Sequence, residues 1–168
     1  MKLLVLLAPA LLLVSCAGYH LGASKPASLE WVKTIAVPMF ANATLQPRAE
    51  AIATSAVVSA FVQDGTYRIE KSDHADAILE GEILSITYTP IRGTRLDTLR
   101  PEELTNTITL RWTLRNARDP TKILASGSSE GHSQLFVASN LQTAKNNALP
   151  EALERAGVAL VSQLANGY

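Results

Sequence analysis

The sequence predicts an α/β fold of the α+β type: a two-layer sandwich with two helices packed on one face of a mostly antiparallel four- to five-stranded sheet, in the order βαββββα. Three observations carry this expectation. Apolar residues recur with helical period in the first half of the chain and again at its end. Between these stripes the period falls to two, as in strands buried on one side. Each helical stripe must leave water, and one face of a shared sheet can cover both. With 168 residues, 47% hydrophobic and 18% charged, the chain fits one domain with a single core. It contains no internal repeat and no low-complexity segment.

The first strand is the apolar run from Thr34 to Phe40, which Pro38 confines to a strand end or a sheet edge. Over residues 47–64 the stripe Ala49, Ile52, Ala53, Ala56, Val57, Ala60 and Phe61 predicts a helix. Pro47 suits its first turn and Gly65 its stop. Four strands come next, over 66–71, 77–89, 104–116 and 122–137. The third has the clearest faces: Ile108, Leu110, Trp112 and Leu114 point one way, and Thr107, Thr109, Arg111, Thr113 and Arg115 the other. In the strand before it, Leu79, Gly81 and Ile83 share one phase while Leu84, Ile86 and Tyr88 take the opposite one. Either a bulge flips the register or the outer face carries apolar groups. The last stripe runs from Leu141 through Leu149, Leu153 and Leu160 to Leu164, with Pro150 inside it. A proline there predicts a kink near Asn146 and Asn147, or two helices instead of one.

Residues 1–15 look foreign to this domain. Lys2, an apolar stretch and small Ser15 have the layout of an export signal, too short to span a bilayer comfortably. The chain holds one cysteine, Cys16, so an internal disulfide is excluded. Leu13-Val14-Ser15-Cys16 resembles the bacterial lipobox, where cleavage precedes a cysteine that is then acylated. Two or more acyl chains hold a protein stably at a bilayer surface, each buried methylene adding about 0.8 kcal/mol. Ala17 stands where an aspartate would signal retention in the inner membrane, so the expected address is the periplasmic leaflet of the outer membrane. The expected organisation is a cleaved signal over 1–15, a lipidated tether over 16–33 and a single sandwich domain over 34–168.

Charge excludes one partner class. Lys and Arg together number 15, as do Asp and Glu. Removing the signal takes away only Lys2, so the mature chain has no global basic field to attract nucleic acid. Basic residues nevertheless gather in one stretch. Arg92, Arg95 and Arg100, with Arg111 and Arg115 on the next strand, form the candidate contact for an anionic group, the alternative being a solvated loop and an ordinary polar strand face.

Catalytic and metal signals are weak. Gly127-Ser128-Ser129-Glu130-Gly131 matches G-x-S-x-G, but residues 132–137 continue as a strand, and His132 lies three residues from Ser129 instead of far along the chain. Small residues at 125, 127, 129 and 131 that let a helix approach a strand closely account for the same pattern. His20, His74 and His132 are scattered, without zinc-site spacing. No cofactor, no metal and no enzymatic activity are expected.

Gly18-Tyr19-His20-Leu21 after Cys16, then 35–44 with Pro47 and Glu50, 61–67 and 75–83 together resemble the lipopolysaccharide-assembly lipoprotein family, the E component of the transport machinery, in order and spacing. The resemblance implies a non-enzymatic outer-membrane lipoprotein that plugs the lumen of a large β-barrel translocon, helps that barrel assemble and handles lipopolysaccharide. Pro150 departs from the uninterrupted last helix expected of the family. The alternatives are a lipoprotein adaptor of another envelope machine, with a curli-secretion-like or translocation-type periplasmic domain, and a lipid-anchored hydrolase that would depend on Ser129.

Overall fold

A computed structural model describes residues 25–91, 103–137 and 140–167. Its elements are β1 (Thr34–Ala36), β2 (Ala41–Asn42), α1 (Ala49–Asp64), β3 (Arg68–Ile69), β4 (Ala77–Pro90), β5 (Glu103–Asn116), β6 (Ile123–Phe136) and α2 (Leu141–Asn166). The predicted sandwich is what forms, with a sheet of six strands in place of four or five. The extra strand is β2, only two residues long and so without a readable period.

The long strands β4, β5 and β6 make an antiparallel meander, and β1 and β2 lie end to end along the free edge of β4, both parallel to it. β3 pairs with β1 in parallel and finishes that side. Between β1 and β2 the run containing Pro38 leaves the ladder, as a residue without an N–H must. β5 shows the expected alternation, with Ile108, Leu110, Trp112 and Leu114 all buried. Across the sheet Trp112 is flanked by Gly81 on β4 and Gly127 on β6. A methyl on Gly127 would stand 2.7 Å from the indole, so the glycine makes room for the ring.

The bulge is the alternative realised in β4. The register shifts between Ile83 and Ser85, leaving Leu84 as the extra residue. Beyond it Ile86 faces Ile108 and packs on the main core, while Tyr88 packs with Leu104, Leu135 and Ala148 in a smaller cluster. One inserted residue thus brings two phases of apolar side chains onto one face.

α1 begins at Ala49, with Arg48 at its N-cap in the left-handed region (φ 67°), so Pro47 precedes the helix instead of opening its first turn. Gly65 ends it as expected, with φ 75° and its N–H donated to the Phe61 carbonyl. α2 decides between the alternatives at Pro150 as far as continuity goes: one helix of 26 residues runs through the proline, so the chain does not divide there into two helices. Asn140 caps its start by accepting from the Thr143 N–H. Tertiary packing outweighs the lost hydrogen bond, because Leu149, Ala152, Leu153 and Ala156 around the proline are buried against sheet and helix.

The stretch read as a tether is packed at its end. Leu29 and Val32 are buried in the core, and Lys25 donates to the Val32 carbonyl with its ammonium 4.2 Å from the centre of the Tyr67 ring. The sandwich therefore takes in residues before Thr34, which a short one-turn 3₁₀ segment (Ala27–Leu29) had hidden from periodicity.

Candidate functional site

With both helices on one face, the other face of β4, β5 and β6 is left uncovered by any described element. Its composition reflects the period of two: every residue alternating with the core is polar along β5, and Glu80, Glu82, Ser85 and Thr87 hold the corresponding places on β4. Arg111 lies directly across from Glu82 and pairs with it. Arg115 Nε donates to Glu80 Oε2 at 2.8 Å, and its Nη1 donates to the Pro120 carbonyl at 3.1 Å. Further along, Thr107 Oγ1 lies 3.0 Å from His132 Nδ1, and Thr109 Oγ1 donates to Glu130 Oε1 at 3.4 Å. The face is broad and hydroxyl-rich, with both arginines paired to glutamates and Glu130 accepting from a hydroxyl.

These contacts divide the predicted basic stretch. Arg92, Arg95 and Arg100 lie outside the described residues, as do Cys16 and His20. That segment leaves β4 after Ile91 and returns at Glu103, where the Ile91 N–H donates to the Glu103 carbonyl. Counting along β5 from Leu104, Arg111 stands about 24 Å and Arg115 about 37 Å from that end of the sheet. The structure therefore does not gather Arg111 and Arg115 with the segment's ends. Sequence reasoning missed their carboxylate partners, although Glu80 and Glu82 carry the same period-two signal as the arginines.

Ser129 sits inside β6, buried, and its Oγ meets no hydrogen-bonding partner among the described residues. His132 lies on the opposite face, engaged with Thr107. Helix packing explains the small residues: a Cβ on Gly131 would fall 2.0 Å from the Ala152 carbonyl oxygen of α2. The Gly127–Gly131 motif is thus a helix contact and not a strand-to-helix elbow. Asp73 and His74 form an exposed pair at 3.0 Å, and no cluster among the described residues could hold a metal ion.

On the helix layer, a groove of about 780 Å³ runs between α1 and α2, lined by Ala51, Ser55 and Ser59 on one side and Asn146, Leu149 and Val158 on the other. Periodicity did not reveal it, because small residues on the outer side of α1 leave space without breaking the stripe.

The geometry defines a two-layer α+β domain that offers a polar sheet surface with paired arginines on one side and a helix pair on the other. The chain belongs to the LptE, or lipopolysaccharide-assembly, family, whose model matches residues 32–166. No curated protein matches it. Among solved structures it is similar to protein XCC0632 from Xanthomonas campestris, with TM-score 0.57 and 16% identity, covering 81% of this chain and 86% of that one. The hypothetical protein CT253 from Chlamydia trachomatis gives 0.55 and 12%, covering 82% and 99%. An uncharacterized lipoprotein B from Nitrosomonas europaea gives 0.52 and 13%, covering 88% of each. At these identities the likeness is one of fold.

Proposed function

We propose that this chain is a non-enzymatic lipoprotein, anchored through acylated Cys16 in the periplasmic leaflet of the outer membrane. There it acts as plug and assembly partner of the lipopolysaccharide translocon β-barrel and helps deliver lipopolysaccharide to the cell surface. The observation that carries the reading is family membership over residues 32–166. The lipobox at residues 13–16 supports the anchor. The uncovered sheet face supports the plug: a large barrel's interior is polar, and a hydroxyl-rich surface whose arginines are already paired with glutamates suits it.

An anionic headgroup must compete with Glu82 and Glu80 to engage Arg111 or Arg115. The reading therefore gives the lipopolysaccharide or barrel contact first to Arg92, Arg95 and Arg100. The test is depletion of this chain while a large outer-membrane barrel is followed. The expected result is loss of the folded barrel and co-purification of the two when both are present. Normal barrel assembly without the chain overturns the plug reading and turns attention to another envelope machine.

A further inference from the structure

β6 has β5 on one side and no strand on the other among the described residues, so fourteen residues form a sheet edge. Such an edge is a template for pairing with another chain. In an antiparallel ladder alternate residues direct both backbone groups to the same side. Ser128 and His132 direct theirs away from β5, because their carbonyls accept from α2: Gln163 Nε2 donates to the Ser128 oxygen at 3.0 Å and Arg155 Nη1 to the His132 oxygen at 2.9 Å.

The spacing of these bonds is matched. Eight residues of helix rise about 12 Å, and four residues of strand span about 13 Å. A helix antiparallel to β6 thus brings two side chains of one face into step with two outward carbonyls. Each donor is itself held. Arg155 Nη2 reaches Glu151 Oε1 at 2.6 Å, and Gln163 Oε1 accepts from Trp112 Nε1 at 3.2 Å. Between the two capped carbonyls, Glu130 adds an exposed charge.

We propose that Arg155 and Gln163 are gatekeepers that occupy the acceptors an added strand would need, and so keep β6 from pairing with β6 of a second copy of this chain. A second copy is the occupant because a strand edge is self-complementary in its backbone, so two copies pair antiparallel across a two-fold axis. The gatekeeping role does not depend on the proposed function.

The test compares the full chain with an Arg155→Met/Gln163→Leu double variant by sedimentation across a range of concentrations. The variant is expected to reach twice the wild-type mass as concentration rises. Adding Glu130→Pro, which removes an outward N–H from the edge, is expected to return it to the wild-type mass. A double variant that keeps the wild-type mass overturns the proposal, as does a doubling that Glu130→Pro does not reverse. Should the double variant lose its near-ultraviolet circular dichroism, Arg155→Met alone, at an exposed position, carries the test; a wild-type mass at every concentration then overturns it.

Discussion

At the scale of single residues, close approach explains more than bulk. Trp112 fills the space over Gly127, with 5% of its surface exposed, and ties β5 to α2 through Gln163. Trp112→Ala should destabilise the domain by about 3–5 kcal/mol, read from urea unfolding. Gly131→Ala puts a methyl into the backbone of α2 instead of into a flexible side chain, so helix or strand must move. A loss of about 1–3 kcal/mol is expected from the same measurement, while an unchanged midpoint would mean that α2 does not rest on β6 there.

Asp76 is the informative titrating group. The Lys33 N–H, opposed by desolvation and joined by the N–H and hydroxyl of Thr34, holds its carboxyl below the usual range. A depressed folded value contributes stability that is present above the unfolded-state value and is lost as pH falls through the folded one. Asp76→Asn should therefore lower Tm at neutral pH, and the gap from the parent should close in acid below the ordinary carboxylate range. A gap that stays constant with pH would remove this carboxylate from the account of how β1 joins β4.

At the scale of elements, two irregularities separate the sequence pattern from the structure. The bulge at Leu84 lets one strand present Leu79 and Ile83 before it, and Ile86 and Tyr88 after it, to the same helices. Deleting Leu84 should give a plain ladder in which Ile83 still faces Leu110 and Ile86 still faces Ile108, so Ile86 and Tyr88 stay on the helix side and Tm should change little; a large fall in Tm would show that the bulge itself shapes the packing of the far half of β4. Pro150 is tolerated inside α2 at the expense of one backbone hydrogen bond. Pro150→Ala restores the donor, and stability should rise by up to about 3 kcal/mol in thermal or urea unfolding. A fall would mean that the proline ring packs better than the bond it displaces.

At the scale of the whole molecule, the five candidate arginines separate into two groups that behave differently. Arg92→Glu/Arg95→Glu should leave the melting curve alone while weakening lipopolysaccharide binding or barrel capture in a salt-dependent way. Arg111→Glu/Arg115→Glu should instead lower Tm, because each new carboxylate faces Glu82 or Glu80. Exposed pairs of this kind each contribute about 0.2–1 kcal/mol, so the shift will be small. Wild-type binding in both variants would leave the basic stretch a solvated surface. The anchor has its own check: mass spectrometry of the mature N-terminus should find an acylated cysteine at position 16, and an unmodified one removes the lipoprotein assignment.

The layer architecture, the two helices, the buried face of β5 and the family were all legible in the sequence, because each is written in local period and order. Ile108, Leu110, Trp112 and Leu114 alternate whatever they pack against, and the stripe from Ala49 to Phe61 demands a covered face. Tertiary structure was needed to settle which of two phases β4 uses, whether Pro150 breaks α2 and how far the packed body extends toward Lys25. It also assigned Arg111 and Arg115 to glutamates on the neighbouring strand. Each of these depends on residues brought together from distant points in the chain, where cross-strand register and packing outweigh local preference. A period can state which way a side chain points; it cannot state what stands opposite.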